Sequence, residues 1–134
     1  MSQENLELVR AQYASFQALG GGGDVRAHFL RFFASDAEYW PVEEIDSIRG
    51  HDALIQYTER WLDAWDSYHD QVDEIIDGRD LVLGAVTVHG RGMGSGVEVA
   101  QTMFHVFEIR DARIARLREY LDRGQALEAA GLRE

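Results

Sequence analysis

The sequence predicts an α+β protein, because helical patterns fill its first half and strand patterns follow. Before Trp65, apolar residues recur at helical spacing; after it, alternating and β-branched runs are separated by turn residues. The apolar stripes of the helices must be buried. One face of a curved antiparallel sheet, wrapped around three N-terminal helices, would bury them.

The first two helices are delimited by glycine and aspartate. One is predicted from Gln3 to Leu19, with Ser2 at its N-cap, and Gly20 to Gly23 end it because glycine is costly inside a helix. Asp24 is suited to cap the second helix. The apolar positions that define the two helices are Leu6, Val9, Tyr13, Phe16, Val25, Phe29, Phe32 and Phe33.

A third helix, from Gly50 to Trp65, shows the clearest amphipathic pattern. Before it, Ala37 to Trp40 is predicted to be extended, and Pro41 disfavours a helical conformation at the residue before it. The stripe of the third helix consists of Leu54, Tyr57, Trp61, Leu62 and Trp65.

Strand patterns fill most of the second half. Tyr68 to Ile76 alternates, Asp77 to Asp80 is a turn, and Leu81 to His89 is rich in β-branched residues. The glycine-rich segment from Gly90 to Gly96 is a second turn; it joins two strands and has no Walker lysine, so it is no phosphate cradle. Gln125 to Ala130 is predicted to be a short final helix.

The most informative segment is the hairpin of residues 101–122. With a two-residue turn at Asp111 and Ala112, directly opposed residues share one face of the hairpin. The opposed pairs would be His105 with Arg118, Met103 with Tyr120, and Gln101 with Asp122. A base, a cation, a phenol and a carboxylate would then share one face, which makes it the best candidate for a functional site.

Each polar residue of this hairpin has two interpretations. Asp122 has the spacing of a helix cap before Gln125, or it is a carboxylate that apolar walls turn into an acid or base. His105 lies between apolar residues, which fits either a hydrogen-bonded core histidine or a proton carrier. Arg118 could bind an anion, could hold Asp122 in its charged form, or could form a surface ion pair.

Composition sets limits on function. The 134 residues suffice for one domain, predicted to span 1–134, and the net charge of −11 argues against binding to nucleic acid or to an anionic membrane. No cysteine is present, and the five histidines lack the spacing of a metal site. Without a signal peptide or a membrane-spanning run, a soluble, cytoplasmic protein is expected.

Several segments together resemble the SnoaL-like group of the nuclear transport factor 2-like superfamily. The segments that carry the resemblance are Phe33 to Ala37, Ile48 to Gly50, Asp77 to Asp80, Phe107 to Ile114 and Arg118 to Asp122. The resemblance implies a cystatin-like α+β cone: a strongly bent sheet around helices, a conical hydrophobic pocket, a homodimer formed through the outer face of the sheet, and no cofactor.

The family includes polyketide cyclases, ketosteroid isomerases and limonene-type epoxide hydrolases. By resemblance, Asp122 matches a catalytic aspartate at the end of the last strand, and Tyr13 matches a tyrosine that binds an oxyanion. Two positions depart from the family: Trp40 stands near the isomerases' proton-shuttling aspartate, and Val86 to Arg91 lacks the Arg-x-Asp pair of the epoxide hydrolases.

The function predicted from these residues is acid–base chemistry on a small, largely apolar carbonyl or ring compound. The reaction would be of isomerase or cyclase type, or that of a hydrolase-like lyase without metal. Asp122 would be the acid or base and His105 its proton partner. The substrate would contact Tyr13, Trp40, Tyr57, Trp61, Met103, Arg118 and Tyr120. The alternative is a non-catalytic ligand-binding or dimeric interaction module of the same fold.

Overall fold

The structure is a computed structural model that describes residues 2–42, 44–78 and 81–132, and it has the predicted α+β architecture. The predicted cap by the Ser2 side chain lies outside the described residues, as do Arg79 and Asp80 of the first predicted turn. None of the described helices is both long and apolar enough to span a membrane.

The described residues form four helices, and the ends of the first, third and fourth lie within two residues of the predicted ones. Their bounds are α1 Ser2–Leu19, α2 Val25–Phe32, α3 His51–Asp63 and α4 Arg123–Ala129. The Asp24 carboxylate caps α2 by accepting the backbone N–H of Ala27 at 3.1 Å.

The third helix is shorter than predicted, since Gly50 is its N-cap and Trp65 begins a strand. Trp65 continues the helical spacing of α3, but its ring packs on Gly90. A Cβ atom at Gly90 would lie only 2.5 Å from that ring. Strand pairing of Trp65 with Gly92 and this burial outweigh the local periodicity.

Six strands form one sheet in the order β2-β1-β6-β5-β4-β3. Their bounds are β1 Phe33–Trp40, β2 Ile48–Arg49, β3 Trp65–Asp77, β4 Leu81–Gly92, β5 Glu98–Arg110 and β6 Arg113–Tyr120. The sheet is antiparallel, as predicted, except that β1 pairs with β6 in parallel. This pairing places the first strand beside the last one, so the open, curved sheet is mixed.

The sheet has an apolar cluster on each face. The inner cluster lies between the sheet and helices α1, α2 and α3 and includes Val9, Phe29, Leu54, Val82, Val86 and Phe107. The outer cluster lies between the sheet and α4 and includes Leu83, Ala85, Phe104, Val106, Ala126 and Leu127. Side chains of β4 and β5 are therefore buried alternately on opposite sides.

The β5–β6 hairpin has the predicted two-residue turn. Asp111 and Ala112 have φ angles of 52° and 61°, and Arg110 lies opposite Arg113. Positive φ at both central positions gives the twist that matches two antiparallel strands.

Beyond this turn, a β-bulge changes the register of the hairpin. Ile109 lies opposite Ile114, but Glu108 lies opposite Arg116, so Ala115 is an extra residue on β6. A shift of one residue exchanges the two faces of a strand. Every residue of β6 beyond Ala115 therefore faces away from the side that regular alternation predicts.

The predicted pairs across the hairpin are wrong for this reason. His105 lies opposite Glu119 and not Arg118, and Tyr120 lies opposite Phe104 and not Met103. The pair of Gln101 with Asp122 does not form either. Because the strand β6 ends at Tyr120, Gln101 has a partner only on β4, where it lies opposite Val88.

Candidate active site

A partly enclosed cavity of about 80 Å³ lies between the inner face of the sheet and the three N-terminal helices. Since a single water needs roughly 10–15 Å³ by the same measure, the cavity can hold a small organic molecule. Most of its wall is aromatic: Tyr13, Phe16, Phe29, Phe33, Tyr39, Tyr57, Trp61, Tyr68 and Phe107. Its ionisable polar residues, other than these phenols, are His28, His105, Asp70 and Glu119.

A chain of hydrogen bonds connects α1, β5 and β6 at the cavity wall. The Tyr13 hydroxyl lies 2.8 Å from Nδ1 of His105, and Nε2 of the same ring lies 3.2 Å from Oε2 of Glu119. A carboxylate can only accept, so Nε2 carries the proton and Nδ1 accepts from the phenol. This assignment of the tautomer follows from the bonding partners.

Glu119 is the fixed end of this chain. Besides His105, its carboxylate accepts the Tyr39 hydroxyl at 2.6 Å and the backbone N–H of Val42 at 3.2 Å. Burial raises the pKa of Glu119, but the hydrogen bonds from His105, Tyr39 and Val42 outweigh it and hold that pKa below its usual value. Glu119 therefore stays ionised and orients the imidazole.

The phenol of Tyr13 stays protonated. Burial raises its pKa well above the ordinary value, and the nearby charges of Asp70 and Glu119 act in the same direction. Tyr13 is therefore a hydrogen-bond donor at neutral pH and not a phenolate.

Gly84 makes room for the bond between Tyr13 and His105. It lies opposite His105 on the neighbouring strand β4, and a Cβ atom there would lie 2.2 Å from the Tyr13 hydroxyl oxygen. Its φ angle is not in the left-handed region, so the reason for glycine is space and not backbone strain.

Asp70 presents a second carboxylate to the cavity from the edge strand β3. It is 6% exposed, and its Oδ1 accepts the Tyr68 hydroxyl at 2.6 Å. Among the described residues, no donor reaches the other oxygen, Oδ2. The Gln17 side chain fixes this part of the edge strand, because it both accepts from and donates to the backbone of Asp70.

The surroundings of Asp70 favour its protonated form more than the surroundings of an exposed aspartate do. Burial raises its pKa, and the charge of Glu119 adds to this rise; the Tyr68 hydrogen bond and His105 oppose it. Burial also raises the pKa of Tyr68, and the charge of Asp70 and the hydrogen bond to it add to this rise. A carboxyl group with a raised pKa and an unoccupied oxygen is suited to accept and return a proton.

His28 is a second buried histidine in the cavity wall. Its Nδ1 lies 2.8 Å from the Ser15 hydroxyl, and no described residue forms a hydrogen bond to its Nε2. Burial lowers the pKa of His28 to about 4, so the ring is neutral at physiological pH. Among the described residues, no group of three or more histidine, aspartate or glutamate side chains is placed to hold a metal ion.

Five of the predicted site residues line this cavity: Tyr13, Tyr57, Trp61, Met103 and His105. The other four lie elsewhere. Trp40 is 41% exposed at the end of β1, and Arg118 lies beside it on the outer face of the sheet, opposite Val106. Tyr120 packs on the outer cluster.

Asp122 is the N-cap of α4. Its exposed carboxylate accepts the backbone N–H of Gln125 at 3.0 Å, so the predicted cap is confirmed. Its side chain is not part of the cavity wall, and the predicted grouping of Asp122 with His105 does not form.

Seven polar residues of the cavity were not predicted: Gln12, His28, Tyr39, Thr58, Tyr68, Asp70 and Glu119. Tyr68 and Asp70 are two residues apart in a segment predicted to be a strand, so alternation already places them on one face. Regular alternation would place Glu119 on the outer face, and the bulge brings it opposite His105 instead. The sequence contains a signal of the bulge. Ile114 and Ala115 are adjacent apolar residues, and the apolar alternation continues from Ala115 to Leu117 instead of from Ile114.

Solved structures show the same fold. A protein from Catenulispora acidiphila with a ketosteroid isomerase-like fold, in complex with trimethylamine, is 20% identical with a TM-score of 0.74, and the match covers 95% of this chain and 94% of that one. TerC, co-crystallised with polyporic acid, is 18% identical with a TM-score of 0.74 over 96% and 98% of the two chains. A candidate SnoaL-like polyketide cyclase from Jannaschia sp. CCS1 is 14% identical with a TM-score of 0.78 over 99% and 95%.

No curated protein sequence matches this chain. The sequence model of the SnoaL-like domain, in contrast, matches residues 9–117, which is most of the chain and includes all the strands up to Leu117 in β6. The chain therefore belongs to the SnoaL-like domain family.

Proposed function

We propose that this protein is an acid–base enzyme that moves a proton at a carbon next to a carbonyl group in a small, largely apolar molecule. The observation that carries the proposal is the hydrogen-bonded chain Tyr13–His105–Glu119, which ends at an aromatic cavity that also contains the Asp70 carboxylate. A base and a hydrogen-bond donor that share one cavity are the groups that enolisation needs.

In the proposed reaction, Oδ2 of Asp70 takes the proton from the C–H bond beside the carbonyl. The electrons of that bond form a carbon–carbon double bond, and the carbonyl oxygen becomes an enolate oxygen. In isomerisation, a carbon–carbon double bond conjugated with the enolate lets Asp70 return its proton to the far carbon of that double bond. In cyclisation, the enolate carbon attacks a second carbonyl, and Asp70 gives its proton to the alkoxide oxygen that forms. Both outcomes leave the enzyme unchanged.

Tyr13 stabilises the charge on the enolate oxygen. In the resting site, its proton is directed to Nδ1 of His105. When His105 takes up a proton from solvent, both ring nitrogens donate, one to Glu119 and one to the Tyr13 oxygen. The phenol proton is then free to turn to the substrate. The predicted role of His105 as a proton carrier is retained in this form, with Glu119 and not Asp122 as its partner.

The apolar part of the substrate would contact Tyr57, Trp61 and Met103, which line the cavity. The roles predicted for Trp40, Arg118, Tyr120 and Asp122 stay predictions, and they concern side chains outside the cavity wall. The homodimer that the family resemblance implies is likewise a prediction; analytical ultracentrifugation measures it.

The test is a search for proton exchange that does not require the natural substrate. Cyclic ketones and lactones are incubated with the protein in heavy water, and proton NMR follows the loss of the signal beside the carbonyl. Trp61 fluorescence reports binding of the same compounds. Asp70→Asn should lower exchange roughly 100-fold or more and leave binding intact, and Tyr13→Phe should lower it by a similar order.

Asp73→Asn is the matched control, because Asp73 is an exposed aspartate on the same strand. The proposal fails if exchange persists in Asp70→Asn, and an effect of Asp122→Asn alone would support the role first predicted for Asp122. Binding of these compounds without exchange in the wild-type protein would favour the non-catalytic ligand-binding module.

A further inference from the structure

The cavity is acidic, and no arginine or lysine side chain of the described residues lines it. Asp70 and Glu119 line it, and the sequence contains no lysine. Among the described residues, the arginines that form ion pairs do so with carboxylates other than Asp70 and Glu119. His105 is the one ion-pair partner of Glu119 in the described part of the chain, and Asp70 has none there.

Asp70 forms no ion pair with a described residue, although it is a buried carboxylate. It is 6% exposed, its Oδ1 accepts one phenolic proton, and no described donor reaches its Oδ2. Removing a carboxylate from water without a paired charge is costly. The rise in the pKa of Asp70, which burial and the charge of Glu119 cause, is a consequence of the same imbalance.

Aromatic rings line the same cavity as this carboxylate, and the ring of Tyr57 is also contacted by the Arg60 guanidinium, 6.0 Å from the ring centre. Tyr68 donates to Asp70, its ring lies 5.8 Å from that of Trp61, and Tyr57 lines the same cavity. The electron-rich faces of such rings attract cations, particularly alkylated ammonium groups, which are weakly hydrated. An anionic ligand would meet like charges in this cavity and gain no ion pair.

We propose that the substrate of this cavity carries a positively charged tertiary or quaternary ammonium group, bound between Asp70 and the rings of Tyr57, Trp61 and Tyr68. The cavity suits an alkylated ammonium better than a primary one, since a primary ammonium has three N–H donors to satisfy. Of the Asp70 oxygens, only Oδ2 is open, while the oxygens of Glu119 already accept from Tyr39, Val42 and His105.

This inference rests on the proposed function, because the same molecule would carry the reacting carbonyl. An ammonium group on the carbon beside the carbonyl makes the C–H bond of that carbon more acidic. Asp70 would then contact the cationic group and take the adjacent proton, so that the base and the counter-ion are one side chain.

The test compares three molecules of nearly the same shape and different charge. Isothermal titration calorimetry measures binding of choline, of its neutral analogue in which a tert-butyl group replaces the trimethylammonium group, and of pivalate, an anion. We expect choline to bind at least tenfold more tightly than the neutral analogue and pivalate to bind most weakly. In Asp70→Asn this preference should fall to near onefold, whereas the control Asp73→Asn should retain it.

Equal binding of choline and the neutral analogue by the wild-type protein would overturn the inference, and this comparison needs no variant. The exchange of neutral cyclic ketones tests the proposed function separately. A preference for the cation without proton exchange of any compound would support the charge inference and refute the enzymatic proposal. Exchange of neutral ketones without a preference for the cation would support the enzymatic proposal and refute the charge inference.

Discussion

Replacing Gly84 with alanine would place a methyl group where the hydroxyl of Tyr13 now lies. The added carbon would be 2.2 Å from the hydroxyl oxygen, 3.0 Å from Cζ and 3.1 Å from Cε2 of the ring. Ordinary contact begins at 3.4 Å, so the oxygen must move by about 1.2 Å, the difference between 3.4 Å and 2.2 Å. A displacement of this size breaks the 2.8 Å bond to His105 unless the imidazole moves with it.

The expected loss of stability combines two costs and one gain. Overpacking a core costs about 1–3 kcal/mol, and the lost hydrogen bond adds about 0.5–1.5 kcal/mol. Alanine recovers about 0.4–1 kcal/mol because it restricts the unfolded chain more than glycine does. The free energy of unfolding of Gly84→Ala should therefore fall by about 2 kcal/mol, within a range of roughly 0.5–4 kcal/mol.

A double-mutant cycle with Tyr13→Phe isolates the cause. Without the hydroxyl, the closest ring atoms are those at 3.0 and 3.1 Å, which a small shift of the ring relieves. Gly84→Ala should then cost less than about 1 kcal/mol, which gives a coupling of about 1–2 kcal/mol. Urea denaturation of the four proteins measures it.

The control is Gly21→Ala, whose added carbon would meet no atom closer than 3.7 Å. Additive costs of the two substitutions, to within about 0.5 kcal/mol, would refute the claim that Gly84 exists to admit the Tyr13 hydroxyl.

Three further predictions concern stability. His28 has a pKa of about 4 in the folded protein and about 6.5 in the unfolded chain, so its neutral form favours the folded state above pH 6.5. About 3 kcal/mol of the free energy of unfolding is lost as the pH falls from 6.5 to 4. Urea denaturation across this range should show no such loss in His28→Gln. Ala112→Gly should raise the free energy of unfolding by about 1 kcal/mol, because Ala112 has a φ of 61°; an unchanged midpoint in urea would contradict this. Asp122→Ala should lower the thermal stability by about 1 kcal/mol through loss of the cap, whereas Asp122→Asn should not; equal losses would argue against capping.

The parts of this molecule that could be predicted from the sequence are those that local rules determine. The stripe of α1 placed Tyr13 on the buried side of the helix, and alternation along β5 placed Met103 and His105 together on one face. Asp24 and Asp122 cap their helices through bonds to residues three positions away. Each of these predictions depends on neighbours within a few residues.

The parts that could not be predicted depend on contacts between distant segments. The pairing of β1 with β6 connects segments separated by the whole meander, and no periodicity encodes it. Burial of Asp70 at a sheet edge depends on Gln17, which approaches from α1. Alternation shows that Tyr68 and Asp70 share a face of the strand, but it does not show which face the helices cover.

The bulge at Ala115 has the largest functional consequence, because it determines the sign of the charge beside His105. In a regular hairpin, Arg118 would lie opposite His105, and the cavity would hold a cation suited to an anionic ligand. The extra residue turns Arg118 to the outer face, opposite Val106, and brings Glu119 to His105 instead. With Asp70 already present, the cavity then holds two carboxylates and no arginine, which favours a cationic ligand. One inserted residue in the last strand thus reverses the electrostatic preference of the site while both hairpin strands keep their hydrogen-bonded pairing.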